Sequence, residues 1–135
     1  MEPIKLMIVD DHPLFRQGLV DVLEMDDGVA VVAAATNGDM AIYLAEEHRP
    51  EIVLMDVNLP DMNGLQVTRR ILSLVPETKI IILTGYDDAE QVYHAMQLGA
   101  VAYCAKDVPP EGLPNTIHAV YDLSLINILP CPGAI

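Results

Sequence analysis

Three aspartates follow short apolar runs of the chain, and together they could bind a divalent cation. Asp10 and Asp11 follow the apolar run at residues 4–9, and Asp56 follows the run at residues 52–55. A carboxylate at the end of a buried strand is unfavourable unless cations or hydrogen-bond donors compensate for its lost hydration. Where carboxylates converge on one crevice, either their pKa values rise or a cation binds.

Two further apolar runs end in side chains that suit a phosphoryl group. The run at residues 79–83 ends in Thr84, and the run at residues 101–105 ends in Lys106. A hydroxyl can donate a hydrogen bond to a phosphoryl oxygen, and an ammonium group neutralises charge on a group in transfer. The ends of four apolar runs therefore carry three carboxylates, one hydroxyl and one amine.

Asp56 is the best candidate for a nucleophile, because it ends what should be a central strand. A carboxylate can attack phosphorus and form an aspartyl phosphate. Lys106 can pair with Asp56 before transfer and with a phosphoryl oxygen afterwards. Magnesium prefers oxygen ligands and keeps several waters, so two carboxylates and one backbone carbonyl suffice for it. The carbonyl of Asn58, two residues past Asp56, is well placed for this role.

Each of these residue types alone has an ordinary structural explanation. A single aspartate such as Asp10 or Asp61 is usually a helix cap or a turn former. The functional interpretation depends on the three aspartates, the threonine and the lysine all lying at the ends of predicted strands in one fold. His12 and His94 are candidates for metal ligands or proton relays, although a loop or surface position is favoured for each.

The candidate residues must be positioned by an alternation of short apolar runs and amphipathic segments. The runs are continuous, which is typical of parallel strands buried on both faces. They lie at residues 4–9, 30–35, 52–55, 79–83 and 101–105. The segments between them carry apolar residues at helical spacing, such as Phe15, Leu19, Val22 and Leu23 in the first segment. The pattern predicts five strands that alternate with five helices.

Several residues mark where the predicted helices begin and end. Pro13 suits the first position of a helix, and Asn37 and Asn63 are predicted N-caps. Pro76 lies just beyond the predicted third helix, and Gly99 is predicted to stop the fourth.

This alternation predicts an α/β fold of the flavodoxin-like (βα)5 type, a three-layer sandwich whose parallel sheet has the strand order 2-1-3-4-5. Ligands of such folds bind outside the carboxyl ends of the strands, where the candidate residues lie. One domain is expected over residues 1–123. The apolar stretch at residues 124–135 has no helical pattern and is expected to be a linker or an artificial tail.

The composition disfavours several classes of protein. The 135 residues are enough for one globular domain, and 52% of them are hydrophobic. The formal net charge of -13 repels nucleic acids and anionic membranes, and it suits basic partners and divalent cations. Cys104 and Cys131 share no metal-ligand spacing, and a disulfide is not expected, which fits a reducing cytosol. We find no signal peptide and no apolar run near the roughly 18 residues that span a membrane.

From residue 4 to about residue 122, the chain resembles the receiver domain of bacterial two-component response regulators. The resemblance is carried by Ile8-Val9-Asp10-Asp11, Leu54-Met55-Asp56-Val57-Asn58-Leu59-Pro60-Asp61-Met62-Asn63-Gly64, Leu83-Thr84-Gly85 and Gly99-Ala100, and by Tyr103 three residues before Lys106. Residues 10–19 resemble the nitrate-regulator or LuxR-type subfamily. Full-length members of that subfamily usually carry a C-terminal helix-turn-helix domain that binds DNA.

The resemblance implies a phosphoacceptor beside a Mg²⁺ site. Asp56 matches the phosphoacceptor, which also contacts the metal. Asp11 matches the residue that binds the metal directly, and Asp10 matches one that binds it mainly through water. Asn58 would contribute its main-chain carbonyl as a further ligand.

The resemblance also implies a conformational switch. Thr84 and Lys106 match the pair that contacts the phosphoryl group, and Tyr103 matches an aromatic residue whose ring turns inward on activation. The sequence departs from the family at Asp107, where many receivers have a proline, often after a cis bond.

As a receiver, the domain would accept a phosphoryl group from a sensor histidine kinase in the cytoplasm. It would catalyse only its own phosphorylation and dephosphorylation, and it would form a homodimer on activation. Transcription would be regulated through a C-terminal DNA-binding domain, and no membrane contact is expected. The alternative is a stand-alone receiver that acts through protein contacts.

Two further function classes are disfavoured by particular residues. A phosphohydrolase of the haloacid-dehalogenase kind usually has an acid two residues after its nucleophile, and Asn58 occupies that position. A flavin-binding module needs a phosphate cradle in the first strand-to-helix turn, where Asp10 and Asp11 would repel the phosphate.

Overall fold

The structure, a computed structural model, describes residues 2–85, 89–107 and 109–123. The strands are β1 (Ile4–Val9), β2 (Val29–Ala35), β3 (Ile52–Asp56), β4 (Lys79–Thr84) and β5 (Ala102–Ala105). The helices are α1 (Pro13–Glu24), α2 (Gly38–His48), α3 (Gly64–Leu74), α4 (Ala89–Leu98) and α5 (Leu113–Leu123), with a 3-10 turn at Pro110–Gly112 before α5. All strand pairs are parallel, in the order β2-β1-β3-β4-β5. The predicted fold is confirmed, while the expected tail at residues 124–135 lies outside the described residues.

Alternate residues of β1 enter two different apolar clusters, one on each face of the sheet. Leu6 and Ile8 pack with buried residues of α1 and α5. Met7 and Val9 pack with buried residues of α2, α3 and α4. The helical residues of the two clusters include Leu19, Leu23, Ile117 and Val120 on the first face, and Ala41, Ala45, Val67, Ile71 and Ala95 on the second. This alternation produces the three layers, because successive side chains of a strand point to opposite faces.

The expectation that every strand is buried on both faces is wrong for the two outer strands. In β2, only Val29 and Ala35 are buried, and Ala34 is exposed. In β5, only Ala102 is buried. The physical reason is that an outer strand has a neighbouring strand on one side only, and the helices do not cover it completely.

The predicted helix boundaries are confirmed by capping contacts. Asn37 begins α2, and its side-chain oxygen accepts a hydrogen bond from the backbone N–H of Met40 at 2.9 Å. Asn63 begins α3 and accepts a hydrogen bond from the N–H of Leu65 at 2.7 Å. Gly99 follows α4 with a φ of 120°, a backbone conformation that favours glycine.

No helix within the described part of the chain is both long and apolar enough to cross a bilayer.

We expect Asn37→Ala to lower the free energy of unfolding by about 1 kcal/mol, because the first turn of α2 loses its side-chain cap. Urea denaturation of the two proteins would measure this difference. Glu46→Ala is the matched control, since Glu46 is exposed on the same helix and alanine is a good helix former. An equal decrease in the free energy of unfolding in the two variants would contradict the capping role of Asn37.

Candidate functional site

The parallel register brings Asp10 and Asp56 together at the carboxyl edge of the sheet. β1 and β3 are neighbours, and Val9 lies beside Met55 in their register. The residues that follow, Asp10 and Asp56, therefore leave adjacent strands at the same level. Both are buried, and their relative exposures are 0% and 1%. Two carboxylates are thus held side by side away from water.

Lys106 forms ion pairs that bridge these two aspartates. Its Nζ atom lies 2.8 Å from Oδ2 of Asp10 and 3.0 Å from Oδ2 of Asp56. β4 separates β5 from β3, so the long side chain of Lys106 must reach across the end of β4. The ammonium group also lies 4.8 Å from the centre of the Phe15 ring, within range of a cation–π interaction. Phe15 thereby belongs to the site, although its sequence pattern indicated only a core position.

Burial and charge determine the protonation of Asp56 and Lys106. Burial raises the pKa of Asp56 above its usual value, although hydrogen bonds from the Asn58 N–H and from Lys106 oppose this, and the charge of Asp10 raises it further. Burial alone would lower the pKa of Lys106, but its contacts with Asp10 and Asp56 outweigh this effect and raise it. Lys106 therefore remains an ammonium ion. Any additional positive charge nearby would stabilise the ionised carboxylate of Asp56.

The acidic cluster also has the donor atoms that a divalent cation requires. Asp10, Asp11, His12 and Asp56 each offer one ligand atom, and these atoms lie within 4.8 Å of one another. Oδ2 of Asp10 and Oδ1 of Asp11 are buried and accept no hydrogen bond, although Oδ2 of Asp10 has its ion pair with Lys106. Buried carboxylate oxygens without donors are costly, and carboxylates are ligands that Mg²⁺ prefers. These residues therefore fit a divalent cation.

Asn58 lies in the turn after β3, which is fixed by hydrogen bonds at both of its ends. The N–H of Asn58 donates to Oδ1 of Asp56 at 3.0 Å, and Asn58 pairs with Asn63 across the turn. The N–H of Gly64 donates to the carbonyl of Val57 at 2.8 Å. A Cβ atom at Gly64 would lie 2.4 Å from the carbonyl oxygen of Asp56, so only glycine permits this close approach. The role of the Asn58 carbonyl as a ligand stays a prediction.

Asp61 lies in the same turn but outside the acidic cluster. Its carboxylate accepts hydrogen bonds from the N–H groups of Gly38 at 2.7 Å and Asp39 at 3.0 Å, the first residues of α2. These two bonds hold the pKa of Asp61 below its usual value. Asp61 is therefore a helix cap supplied by a distant part of the chain, in agreement with its structural interpretation from the sequence.

Thr84 and Tyr103 lie in β4 and β5, the two strands on one side of β3. Thr84 is buried at the end of β4, and its carbonyl accepts a hydrogen bond from the N–H of Lys106 at 2.8 Å. Tyr103 is half-buried in β5, beside Ile82 of β4. Among the described residues no peptide bond is cis, so the bond that follows Lys106 is trans. The contacts predicted for Thr84 and Tyr103 on activation stay predictions.

His12 is a member of the site that the sequence interpretation undervalued. Its ring is 60% exposed, yet its Nδ1 atom lies 3.0 Å from Oδ1 of Asp10, 3.2 Å from Oδ1 of Asp11 and 3.6 Å from Oδ2 of Asp56. The Nζ atom of Lys106 is 3.2 Å from the same nitrogen. The available signal was its position directly after the acidic pair, in the turn that enters α1.

The other residues considered as site candidates lie elsewhere. His94 is exposed on α4, where its ring is 5.9 Å from that of Tyr93. Cys104 is half-buried in β5 and packs against the apolar cluster under α1 and α5. These positions agree with the surface and packing roles expected for them.

Comparison with known proteins adds information about ancestry. A sequence model of the response regulator receiver domain matches residues 6–118. The chain is 35% identical over 117 residues to the transcriptional regulatory protein DegU of Brevibacillus brevis, an alignment that covers 87% of this chain and 50% of DegU. It is 34% identical over 117 residues to the nitrate/nitrite response regulator protein NarL of Escherichia coli K12, covering 87% of this chain and 54% of NarL. The chain spans about half the length of the curated relatives that it matches.

Solved structures with similar folds include two from the same group of proteins. One is a two-component response regulator of the LuxR family from Aurantimonas sp. SI85-9A1, with a TM-score of 0.86 and 31% identity over 97% of this chain and 91% of that chain. Another is the signal receiver domain of the putative response regulator NarL from Mycobacterium tuberculosis, with a TM-score of 0.81 and 32% identity over 93% of this chain and 99% of that chain.

We expect Asp56→Asn to raise the melting temperature of the metal-free protein at pH 7, because it removes a charge that has lost its hydration on burial and that Asp10 also repels. The pKa of Asp56 is raised in the folded state, so its contribution to stability is present at low pH and is lost as the pH rises through that pKa. The difference in melting temperature between the variant and the unchanged protein should therefore become smaller as the pH falls towards 3.8, the usual pKa of the group. Thermal unfolding in a chelator, followed at several pH values, would measure this.

Asp61→Asn is the matched control for this experiment. The lowered pKa of Asp61 stabilises the folded protein above the usual pKa, so this variant should melt at a lower temperature at pH 7. A lower melting temperature of Asp56→Asn at pH 7 would contradict the cost that we infer for the buried Asp56 charge.

Proposed function

Because this chain belongs to the response regulator receiver domain family, we propose that it is a signalling switch that accepts a phosphoryl group on Asp56 from a sensor histidine kinase. The observation that carries this proposal is the bridge of Lys106 between the buried carboxylates of Asp10 and Asp56, beside the further carboxylate of Asp11. This arrangement combines a nucleophile, a fixed positive charge and a cluster that fits a divalent cation.

The transfer follows from the environment of the two Asp56 oxygens. One carboxylate oxygen attacks phosphorus and forms the new P–O bond, while the bond from phosphorus to the donor breaks and its electron pair leaves with the donor. The Asn58 N–H holds Oδ1 of Asp56, and Lys106 holds Oδ2, so the carboxylate is oriented before the donor arrives. After transfer, the ammonium group of Lys106 can pair with a phosphoryl oxygen.

We propose that the cofactor is Mg²⁺, with Asp11, Asp56 and the Asn58 carbonyl as direct ligands and Asp10 as a ligand through water. When bound, the cation would supply positive charge that offsets the negative charge of the transferring group. The proposed chemistry is the phosphorylation and dephosphorylation of Asp56 itself, without turnover of other substrates. The relatives are named as regulators, which agrees with this limit.

The change that follows phosphorylation is proposed to pass through Thr84 and Tyr103. The Thr84 hydroxyl would move toward a phosphoryl oxygen, and the Tyr103 ring would enter the space that it leaves. Because Tyr103 lies in β5, this movement alters the face formed by α4, β5 and α5. A second copy of the chain would recognise that altered face and form a homodimer.

In the cell, the proposed role is control of transcription from the cytoplasm. DegU is named as a transcriptional regulatory protein, and both DegU and NarL are about twice as long as the matched segment. Residues 1–123 would be the receiver and residues 124–135 a linker or tail, and DNA would be bound by a separate C-terminal domain. The net charge of -13 supports this division, because an acidic domain repels DNA. A stand-alone receiver that acts through protein contacts remains the alternative.

We expect the protein to gain the mass of one phosphoryl group when it is incubated with acetyl phosphate and Mg²⁺, and to lose that gain in a chelator. Asp56→Asn should abolish the gain, because the amide is not a nucleophile of comparable strength. Intact-protein mass spectrometry would measure both results. Asp61→Asn is the control, since Asp61 lies in the same turn but caps α2. Undiminished phosphorylation of Asp56→Asn would overturn the assignment.

We expect Thr84→Ala to accept the phosphoryl group but to lose dimerisation that depends on phosphorylation, because the hydroxyl that couples the site to Tyr103 is gone. Sedimentation velocity with and without a beryllofluoride mimic of the phosphoryl group would measure the oligomeric state. Thr36→Ala is the control, because Thr36 follows the outer strand β2 instead of β4. Normal dimerisation of Thr84→Ala would refute the coupling.

A further inference from the structure

Phe15 of α1 lies against the ammonium group of Lys106, which the proposed function pairs with the phosphoryl group. The Nζ atom lies over the ring at 4.8 Å from its centre, and the Lys106 side chain is only 17% exposed. A lysine side chain has several rotatable bonds, so holding it in one rotamer costs side-chain entropy. The ring therefore adds a third restraint to the two ion pairs with Asp10 and Asp56.

The start of α1 fixes where the Phe15 ring lies. The carbonyl of His12 accepts a hydrogen bond from the N–H of Arg16 at 2.9 Å, and the Arg16 side chain donates to the carbonyl of Asp10 at 2.8 Å. Phe15 lies between these anchored residues and packs against the apolar cluster on the α1 and α5 face of the sheet. Because an aromatic side chain has only two torsions, a fixed backbone leaves the ring few positions.

The place of Phe15 differs from that of the other apolar residues of α1. Leu19 and Leu23 are buried in the core, whereas Phe15 is half-buried. Its ring borders the pocket that contains Asp56 and Lys106, and it also lines an apolar cavity between α1, β5 and α5. Phe15 thus stands between the acidic site and the apolar interior, and core packing alone does not account for its contact with Lys106.

An aromatic ring attracts an ammonium group in a different way from a carboxylate. The face of the ring is negatively polarised, but the ring carries no net charge and does not offer the oxygen ligands that Mg²⁺ prefers. The charge and shape of the Asp56 side chain change when it is phosphorylated. The attraction of the ring for Lys106 therefore does not depend on whether Asp56 is free or phosphorylated.

We propose that Phe15 is a positioning residue for phosphoryl transfer, and that its ring holds the Lys106 ammonium group beside Asp56. The inference rests on the proposed function, because there Lys106 pairs with a phosphoryl oxygen. Phe15 takes no part in making or breaking bonds and acts only through Lys106. The contact requires the aromatic face of the side chain and not only its apolar bulk, so a leucine does not replace it.

The first test is the initial rate at which acetyl phosphate and Mg²⁺ phosphorylate the complete chain, followed by intact-protein mass spectrometry. Phe15→Leu should lower this rate by about threefold or more, because the cation–π contact is lost while an apolar side chain is kept. Phe15→Tyr should keep the rate within about twofold of that of the unchanged protein, since tyrosine retains an aromatic face. Val20→Ala is the matched control, because Val20 is a partly buried residue of α1 that packs against the same cluster, and it should leave the rate unchanged.

Proton NMR of the Lys106 side chain gives a readout that a loss of packing alone would not move. An aromatic ring shifts the resonances of protons that lie over its face. The methylene protons next to Nζ should therefore be shifted in the unchanged protein, in Phe15→Tyr and in Val20→Ala. In Phe15→Leu they should return to the resonance position of a lysine that contacts no ring.

Three results would overturn the role of Phe15. The first is an equal phosphorylation rate in Phe15→Leu and the unchanged protein. The second is an equal decrease of the rate in Phe15→Leu and Phe15→Tyr, because the aromatic face would then not be what Lys106 requires. The third is a set of Lys106 methylene resonances that does not respond to Phe15→Leu.

The failure of this proposal can be distinguished from the failure of the proposed function. If the unchanged protein accepts a phosphoryl group on Asp56 and Phe15→Leu accepts it at the same rate, only the positioning role of Phe15 is wrong. If the unchanged protein accepts no phosphoryl group, both proposals are wrong, because there is then no transfer for Phe15 to support.

Discussion

The ion pairs of Lys106 with two buried carboxylates are the interaction on which the carboxyl edge of the sheet depends. Asp10 and Asp56 lie side by side with almost no exposure, and without a cation between them they would repel each other in a medium of low polarity. One ammonium group does not balance the three carboxylates of the cluster. The folded protein therefore keeps an excess of negative charge at one place, where it lowers the stability of the fold and fits a divalent cation.

The rest of the fold keeps this costly arrangement in place. The apolar residues of β1 pack against helices on both faces of the sheet, which fixes the strand that carries the acidic pair. The turn that follows Asp56 is closed by the N–H of Gly64 and tied to α2 by Asp61. Backbone hydrogen bonds thus hold the turn from two directions, so the position of Asp56 does not rely on its own ion pair alone.

Local patterns in the sequence predict the five strands and the side chains at their ends, and the strand order follows from the fold type that the alternation of strands and helices indicates. Continuous apolar runs identify the strands, and Asn37 and Asn63 identify helix starts through their own neighbours along the chain. Two kinds of feature could not be predicted in this way. The exposure of β2 depends on its position at the edge of the sheet. The inclusion of His12 depends on contacts of its ring with Asp10, Asp56 and Lys106, which come from separate parts of the chain. Both are properties of the assembled fold.

The half-exposed outer strands have a consequence for how molecules of this protein meet one another. An outer strand presents backbone N–H and C=O groups that can pair with another chain, and such edges promote aggregation. Mutual repulsion between molecules that each carry a net charge of -13 opposes that pairing at neutral pH. Near the isoelectric point of about 4.3 this repulsion disappears. The acidic charge therefore opposes aggregation through the outer strands of the sheet at neutral pH.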